Sequence, residues 1–278
     1  MVETLLDGLT FPEGPRWHQG RLWFSDFYNY RVVAVGLDGK AEEMARVPAC
    51  PSGLGWMPDG SLLVVSMNDK RLLRQVNGAL VTHADLSAIA GGPCNDMVVD
   101  AQGRAWVGNF GYERFQGADA KPAKLVRVDP DGRVHVAAED LLFPNGTVIT
   151  PDGKRLIIGE TMGNRLTAFD IAPDGGLSNR RVWAQDAKLF PDGICLDADG
   201  AIWVADPRGN RVVRVREGGA VTDTVALPGR NAYACMLGGD DRRTLFICTA
   251  PGSGPERQGK TDGKIEFVQV AVPGAGLP

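Results

Sequence analysis

A short turn motif that precedes an apolar strand recurs along this chain, and its spacing of roughly 40–50 residues constrains the fold more than any other feature. The copies read PEG at 12–14, PSG at 51–53, CND at 94–96, PNG at 144–146 and PDG at 191–193, with a weaker AYA at 232–234. Repeats of this length are typical of propeller blades, in which equivalent positions converge on one axis. We call the middle residue of each motif the slot; the slot residues are Glu13, Ser52, Asn95, Asn145, Asp192 and Tyr233.

Each repeat has the pattern of a small antiparallel sheet. One such sheet cannot bury both of its faces alone, whereas a ring of sheets can. The sequence therefore predicts an all-β fold, a six-bladed β-propeller with four-stranded antiparallel blades, as one domain over residues 1–278. In the first blade the predicted strands are Glu13–Trp17, Arg21–Asp26, Tyr30–Leu37 and Ala41–Val47.

The repeat also predicts where each blade begins and how the ring closes. The first ten residues are expected to add a strand to the last blade. A polar residue ends each second strand, and these residues are expected to form a second polar ring at the same mouth of the channel: Asp26, Ser66, Asn109, Glu160, Asp206 and Thr249. The predicted blades cover roughly 11–49, 50–91, 92–142, 143–189, 190–229 and 230–272.

Composition excludes several classes of function. The net charge is −4 with both signs interspersed, so nothing predicts nucleic-acid binding. No apolar stretch approaches the roughly 18–20 residues of a membrane helix, and the N-terminus lacks the basic and apolar blocks of a secretory signal, which predicts a cytoplasmic protein. The five cysteines are odd in number and lack CxxC spacing, which argues against a disulfide scaffold or a thiolate zinc site.

Four slot residues carry oxygen atoms of the kind that bind hard cations. Glu13 and Asp192 offer carboxylates, and Asn95 and Asn145 offer amide oxygens. Taken singly, each Asn or Asp is more easily explained as a turn residue. As a set in one register that includes Glu13, which is not a turn former, they favour a site for one divalent cation, with Ca²⁺ preferred to Zn²⁺, Mn²⁺ or Mg²⁺.

Several motifs, in order along nearly the whole chain, resemble the gluconolactonase, regucalcin (senescence marker protein) and luciferin-regenerating-enzyme-like family of six-bladed propellers. They are FPEGPRW at 11–17, CNDMVVD at 94–100, FPNGTVITPDGKRL at 143–156 and PDGICLDADGAIWVAD at 191–206. The resemblance implies one catalytic divalent cation, bound by Glu13, Asn145 and Asp192. It implies that Asn95 binds the metal or the substrate, and that Asp192 is the general base.

The chain departs from the sugar-binding members of that family. Those members often carry an arginine two residues before the Asn of the ND pair, where this chain has Pro93. The loop FGYERFQGADAKP at 110–122 is aromatic and is either a pocket wall or a surface loop with its own small core. We therefore expect a lactone with an apolar or aromatic part, in a pocket lined by Asn95, Trp17, Asn109, Tyr112, Glu113 and Tyr233.

These observations predict a metal-dependent hydrolase that opens a small-molecule lactone by attack of water, with Asp192 as the catalytic base. An organophosphate (phosphotriester) hydrolase built on the same site is an alternative, and so is a non-catalytic calcium-binding propeller. A protein like strictosidine synthase is disfavoured, because the metal-type slots are intact and those enzymes use a metal-free site. Measuring the hydrolysis of a panel of lactones with and without a chelator distinguishes these hypotheses.

Overall fold

A computed structural model of the protein describes residues 1–276, which form six four-stranded antiparallel sheets. The strands are numbered along the chain, beginning with β1 (Glu3–Leu9). The first blade contains β2 (Pro12–His18), β3 (Arg21–Asp26), β4 (Arg31–Val35) and β5 (Ala41–Arg46). The second contains β6 (Pro51–Trp56), β7 (Leu62–Ser66), β8 (Arg71–Val76) and β9 (Ala79–Asp85). The third contains β10 (Cys94–Val99), β11 (Ala105–Asn109), β12 (Ala123–Val128) and β13 (Val134–Leu141).

The remaining blades repeat this order. The fourth contains β14 (Pro144–Ile149), β15 (Arg155–Glu160), β16 (Arg165–Ile171) and β17 (Leu177–Gln185). The fifth contains β18 (Ile194–Leu196), β19 (Ile202–Asp206), β20 (Arg211–Val215) and β21 (Val221–Ala226). The sixth contains β22 (Asn231–Gly238), β23 (Thr244–Ala250) and β24 (Gly263–Gln269), and its outer strand is β1. The six-bladed fold and the closure of the ring by the N-terminal strand are therefore confirmed.

Helical structure is limited to short turns. Among residues 1–276 the helices are 3₁₀ turns at Phe27–Asn29, Arg114–Gln116, Thr161–Gly163 and Pro255–Arg257. None of the helices in this part of the chain is long and apolar enough to cross a membrane.

The innermost strands share an irregularity at the slot. The pairing of β2 with β3 slips between Glu13 and Arg16, and the same slip occurs at the slots of the second, third, fourth and sixth blades. In the fifth blade Asp192 lies just before β18, and its backbone N–H donates to the carbonyl of Ala205 at 3.0 Å. A bulge breaks the alternation of a strand and re-aims a side chain. Each blade is thus able to turn its slot residue toward the channel.

Glycine after the slot lets neighbouring blades approach closely. A Cβ on Gly146 would lie 2.4 Å from the backbone nitrogen of Ile194, and one on Gly53 would lie 2.4 Å from that of Met97. Backbone hydrogen bonds use this closeness, because Gly146 donates to the Asp192 carbonyl at 3.1 Å and Gly193 donates to the Tyr233 carbonyl at 2.8 Å. The glycines of the motif therefore serve the packing of the ring, whereas the slot residues remain available for chemistry.

The core lies between adjacent blades. One cluster joins the third and fourth blades around Trp106, which is fully buried together with Leu125, Leu156 and Ile158. A larger cluster joins the sixth blade to its two neighbours and contains Phe24, Trp203 and Phe246. Each sheet thus buries its two faces against the sheets beside it, as a ring requires.

The polar residues that end the second strands lie beside the slot motifs in the strand register, as Asp26 does beside Pro12, and their side chains have a structural role. Asp26, Glu160 and Asp206 are fully buried, and each is bonded to an arginine on the adjacent third strand. Asp26 also accepts hydrogen bonds from the backbone N–H groups of Thr10 and Phe11. These carboxylates hold strands and incoming chain together, and none of them lines the cavity described below.

Substitution of Gly146 tests the role of close packing at the axis. We expect Gly146→Ala to lower the free energy of unfolding by about 1–3 kcal/mol, because the added Cβ meets backbone atoms that cannot move away independently. Gly252→Ala is the matched control, since nothing lies within 4 Å of a Cβ built there. Denaturant unfolding measures both, and equal stabilities for the two variants would contradict the packing argument.

Candidate metal and substrate site

One cavity opens at the mouth of the channel where the slot residues converge. It contains about 500 Å³ of space, counting the part open to solvent. Of the slot residues, only Ser52 is absent from its lining. The lining residues are Phe11, Glu13, Phe27, Tyr28, Met67, Asn95, Phe110, Arg114, Phe115, Phe143, Asn145, Asp192, Tyr233, Ser253 and Gly254.

Glu13 and Asp192 are two carboxylates held near each other without a basic partner. Glu13 is 9% exposed and accepts a hydrogen bond from the Gly14 backbone at 2.9 Å. Burial, and next the negative charge of Asp192, raise the pKa of Glu13 well above its ordinary value. Burial likewise raises the pKa of Asp192 to about 8, while the Asn145 amide lowers it in part. Within residues 1–276 neither carboxylate forms an ion pair.

The two slot amides flank these carboxylates. Asn145 is 5% exposed, and its amide nitrogen lies 3.3 Å from the hydroxyl of Thr161. Asn95 is 7% exposed, and its buried amide nitrogen has no hydrogen-bond partner in the described chain. The side chain of Asn95 is therefore not used by the protein's own hydrogen-bond network.

These four residues fit a hard divalent cation. Two neighbouring carboxylates in a largely buried site without a positive partner are costly, and a cation between them would remove both the repulsion and the unpaired charge. Carboxylate and amide oxygens suit Ca²⁺ better than soft metals. No group of three or more His, Cys, Asp or Glu side chains in residues 1–276 is placed to hold a metal. A cation here would therefore depend on Asn95 and Asn145 as well as on the acids.

A buried ion pair lies beneath the site and was not predicted. The Arg16 guanidinium contacts the Asp96 carboxylate at 2.7 Å, and both side chains are almost fully buried. Arg16 also donates to the backbone carbonyls of Met97 and Pro15. The pair joins the first blade to the third below Glu13. Arginine and aspartate beside two slot motifs were the signal in the sequence, but only the closed ring makes them neighbours.

Aromatic side chains form most of the remaining wall. Phe11 packs on Tyr233 with ring centroids 4.6 Å apart, and Phe110 stacks on Phe143 at 4.4 Å. The loop at 110–122 contributes Phe110, Arg114 and Phe115 to the lining, so it is part of the pocket wall.

Four residues that the strand register predicted to line the pocket are not part of the cavity lining. Trp17 stacks on Phe246 at 5.5 Å, because four residues of strand beyond Glu13 carry it about 13 Å along the channel. Asn109 is fully buried and bonds to the backbone of Lys124 and Gly111. Tyr112 packs edge-on against Phe143, and Glu113 pairs with Lys70 at 2.8 Å. Of the expected substrate-binding residues, Asn95 and Tyr233 line the cavity.

Comparison with known proteins finds a family and several relatives that this chain matches. A family model described as "SMP-30/Gluconolactonase/LRE-like region" matches residues 11–251. The chain is 31% identical over 190 residues to 6-deoxy-6-sulfogluconolactonase from Pseudomonas putida, and the aligned residues cover 66% of this chain and 64% of that protein. It is 27% identical over 257 residues to pentonolactonase XacC from Haloferax volcanii, covering 90% and 85%. It is 30% identical over 259 residues to regucalcin from Pongo abelii, covering 87% and 78%.

Solved structures share the fold. A luciferin-regenerating enzyme superimposes with a TM-score of 0.85 at 20% identity, over 100% of this chain and 98% of its own. A gluconolactonase from Xanthomonas campestris superimposes with a TM-score of 0.77 at 25% identity, over 100% and 89%.

Fold and cavity define a six-bladed propeller with a carboxylate and amide cluster at the mouth of its channel. The family-model match over residues 11–251 identifies the family, which the fold alone does not. The chain belongs to the SMP-30/gluconolactonase/luciferin-regenerating-enzyme-like family.

The raised pKa of Asp192 predicts how stability depends on pH in protein stripped of metal. Because the folded state keeps a proton that the unfolded chain releases, this carboxyl group costs stability as pH rises from about 4 to about 8. We expect Asp192→Asn to be more stable than the native chain at pH 8.5, and the difference to vanish near pH 4. Denaturant unfolding in chelator measures this.

The control is Asp119→Asn, because Asp119 is exposed in the loop and does not line the cavity. It should follow the native chain at both pH values. Added Ca²⁺ should stabilise the native chain and the control, and should stabilise Asp192→Asn much less. The same pH dependence of stability in all three proteins would show that folding does not raise the pKa of Asp192.

Proposed function

We propose that the protein is a metal-dependent hydrolase that opens a lactone ring. The observation that carries the proposal is the convergence of Glu13, Asn95, Asn145 and Asp192 in one cavity, in a family that includes lactonases. A divalent cation bound there would polarise the ester carbonyl and hold both carboxylates ionised. The oxygen ligands of these side chains favour Ca²⁺, and a solved regucalcin from Agrobacterium tumefaciens is described as a calcium-binding protein.

Asp192 is the group best placed to move a proton. It is partly exposed to the cavity, whereas Glu13 is more deeply buried. As a carboxylate it can take a proton from the attacking water and return it to the leaving alkoxide. Glu13 is more deeply buried and carries the second negative charge, so we assign it to binding of the cation rather than to proton transfer.

The neutral polar side chains orient the substrate. Asn95 has hydrogen-bonding capacity that the described protein leaves unused, and it faces the same cavity. Burial raises the pKa of Tyr233 to about 12, so its hydroxyl stays protonated and can donate a hydrogen bond to a substrate oxygen. Its ring is fixed against Phe11, which limits the positions that this hydroxyl can reach.

Loss of the cation or of the base should abolish hydrolysis. We expect chelator-treated protein to lose lactone hydrolysis and to regain it on addition of Ca²⁺ or another divalent ion. Asp192→Asn should lower kcat by about 100- to 10,000-fold, the range for loss of a positioned general base. Asp119→Asn should keep full activity. Titration of the acid that is released when the lactone opens in weakly buffered solution gives the rates.

Including a phosphotriester in the same panel tests the main alternative. Faster cleavage of the phosphotriester than of every lactone would replace the proposed activity with that one. Binding of Ca²⁺ with no hydrolysis of any compound would leave a calcium-binding propeller.

The wall predicts selectivity among lactones. Relatives are named for sugar lactones, but this cavity is lined largely by aromatic rings, and Pro93 stands where sugar-binding members often carry arginine. Polyol hydroxyls need matched polar partners, which an aromatic wall does not supply. We expect kcat/KM for a phenyl-substituted δ-lactone to exceed that for glucono-δ-lactone by about tenfold or more. A preference for the sugar lactone would contradict this.

A further inference from the structure

One cationic side chain lines the cavity in the described chain, and it has no acidic partner. Arg114 extends from the 3₁₀ turn Arg114–Gln116 and lies over the ring of Phe143 at 5.5 Å. It is exposed, and its guanidinium forms no ion pair with any carboxylate in residues 1–276. Its charge acts on Asp192 and on Tyr28, so it faces the cavity from the loop side.

Other arginines near this end of the blades are used differently. Arg31, Arg165 and Arg211 each follow a second strand and pair with its buried terminal carboxylate at 2.8–3.1 Å. In the third blade the corresponding strand ends with Asn109, which is neutral and bonds to backbone. Arg114 is therefore not needed to neutralise a carboxylate within its own blade.

The turn that carries Arg114 is tethered on two sides. Its preceding residue, Glu113, pairs with Lys70 of the second blade at 2.8 Å. Phe110, at the start of the loop, stacks on Phe143. The backbone between them packs against Gly92, where a Cβ would lie 2.2 Å from the Tyr112 carbonyl. The loop is thus held against two blades, with the guanidinium at the rim of the cavity.

Once a divalent cation is bound, no other charge in the lining balances the positive charge of Arg114. Glu13 and Asp192 together balance such an ion, and the Arg16–Asp96 pair beneath them is neutral. The Glu256 carboxylate lies beside the lining residue Gly254 and is exposed, but it is not itself part of the lining. The lining of the loaded site would therefore carry one net positive charge, on Arg114.

We infer that the preferred substrate is a lactone whose apolar or aromatic part bears an anionic group, and that Arg114 binds this group. The inference rests on the proposed lactone hydrolysis. The lactone carbonyl would lie among the slot residues and the aromatic part along Phe110 and Phe143. The anionic group, a planar carboxylate or a tetrahedral sulfonate, would then reach the guanidinium, which can offer paired N–H groups to two oxygens of either anion.

The test compares matched substrates in matched variants. Two phenyl-substituted δ-lactones differ only in a carboxylate or a carboxamide at the same ring position, and a sulfonate version separates charge from carboxylate geometry. The proteins are the native chain, Arg114→Met and the control Arg208→Met. Arg208 is a suitable control, because it also lies over an aromatic ring, that of Phe190 at 4.0 Å, but does not line the cavity.

We expect the native chain to favour the anionic lactones in kcat/KM by about tenfold, the effect of one charge-assisted contact. Arg114→Met should remove this preference, so that the ratio of kcat/KM for the anionic lactone to kcat/KM for the carboxamide falls to about one. Arg208→Met should behave as the native chain. Equal kcat/KM for anionic and neutral lactones in the native chain, or a preference that survives in Arg114→Met, would overturn the inference.

A binding measurement keeps this inference separate from the proposed activity. The corresponding lactams, which resist hydrolysis, can be titrated calorimetrically into the same three proteins. Tighter binding of the anionic lactam that disappears in Arg114→Met supports the role of Arg114 even if no lactone is opened. Hydrolysis of none of the lactones would overturn the proposed function alone, whereas equal binding of both lactams would overturn the anion preference alone.

Discussion

The contact between innermost strands at the axis of the ring is the constraint on which the rest of the structure depends. Gly53 and Gly146 leave no space for a Cβ between neighbouring blades, and backbone hydrogen bonds link Gly146 to Asp192 and Gly193 to Tyr233. This closeness brings side chains from distant parts of the chain into one cavity. The packing that closes the ring and the geometry of the site therefore have a common cause.

The pairing of charges separates structural polar residues from those of the site. Asp26, Glu160, Asp206 and Asp96 are buried carboxylates, and each contacts an arginine. Glu13 and Asp192 form no ion pair with any basic side chain in the described chain. Because unpaired carboxylates in a largely buried site are unfavourable, they mark the place where a cation would restore the balance of charge.

The wall of the cavity is built independently of the cores between blades. Phe11, Phe27, Phe110, Phe143 and Tyr233 form a cluster of their own around the mouth of the channel. Several of these rings come from loops rather than from the strands that hold the ring together, and loops tolerate change more readily. The slot residues and the aromatic wall thus come from different parts of the fold, the first from the innermost strands and the second largely from loops.

The six blades and the positions of their slot residues follow from the repeat in the sequence. Because regularly spaced residues become neighbours once the sheets close into a ring, the repeat predicts that Glu13, Asn95, Asn145, Asp192 and Tyr233 lie together. The other features of the site depend on contacts that form only in the folded chain. Trp17 lies in a core between blades, Glu113 is held by Lys70, Arg114 reaches the cavity, and Arg16 meets Asp96 beneath it. These outcomes depend on the bulge that re-aims each strand, on the path of one loop and on contacts between different blades. A repeat carries the position of each residue along its blade, but it does not carry the direction of its side chain or the identity of its neighbours.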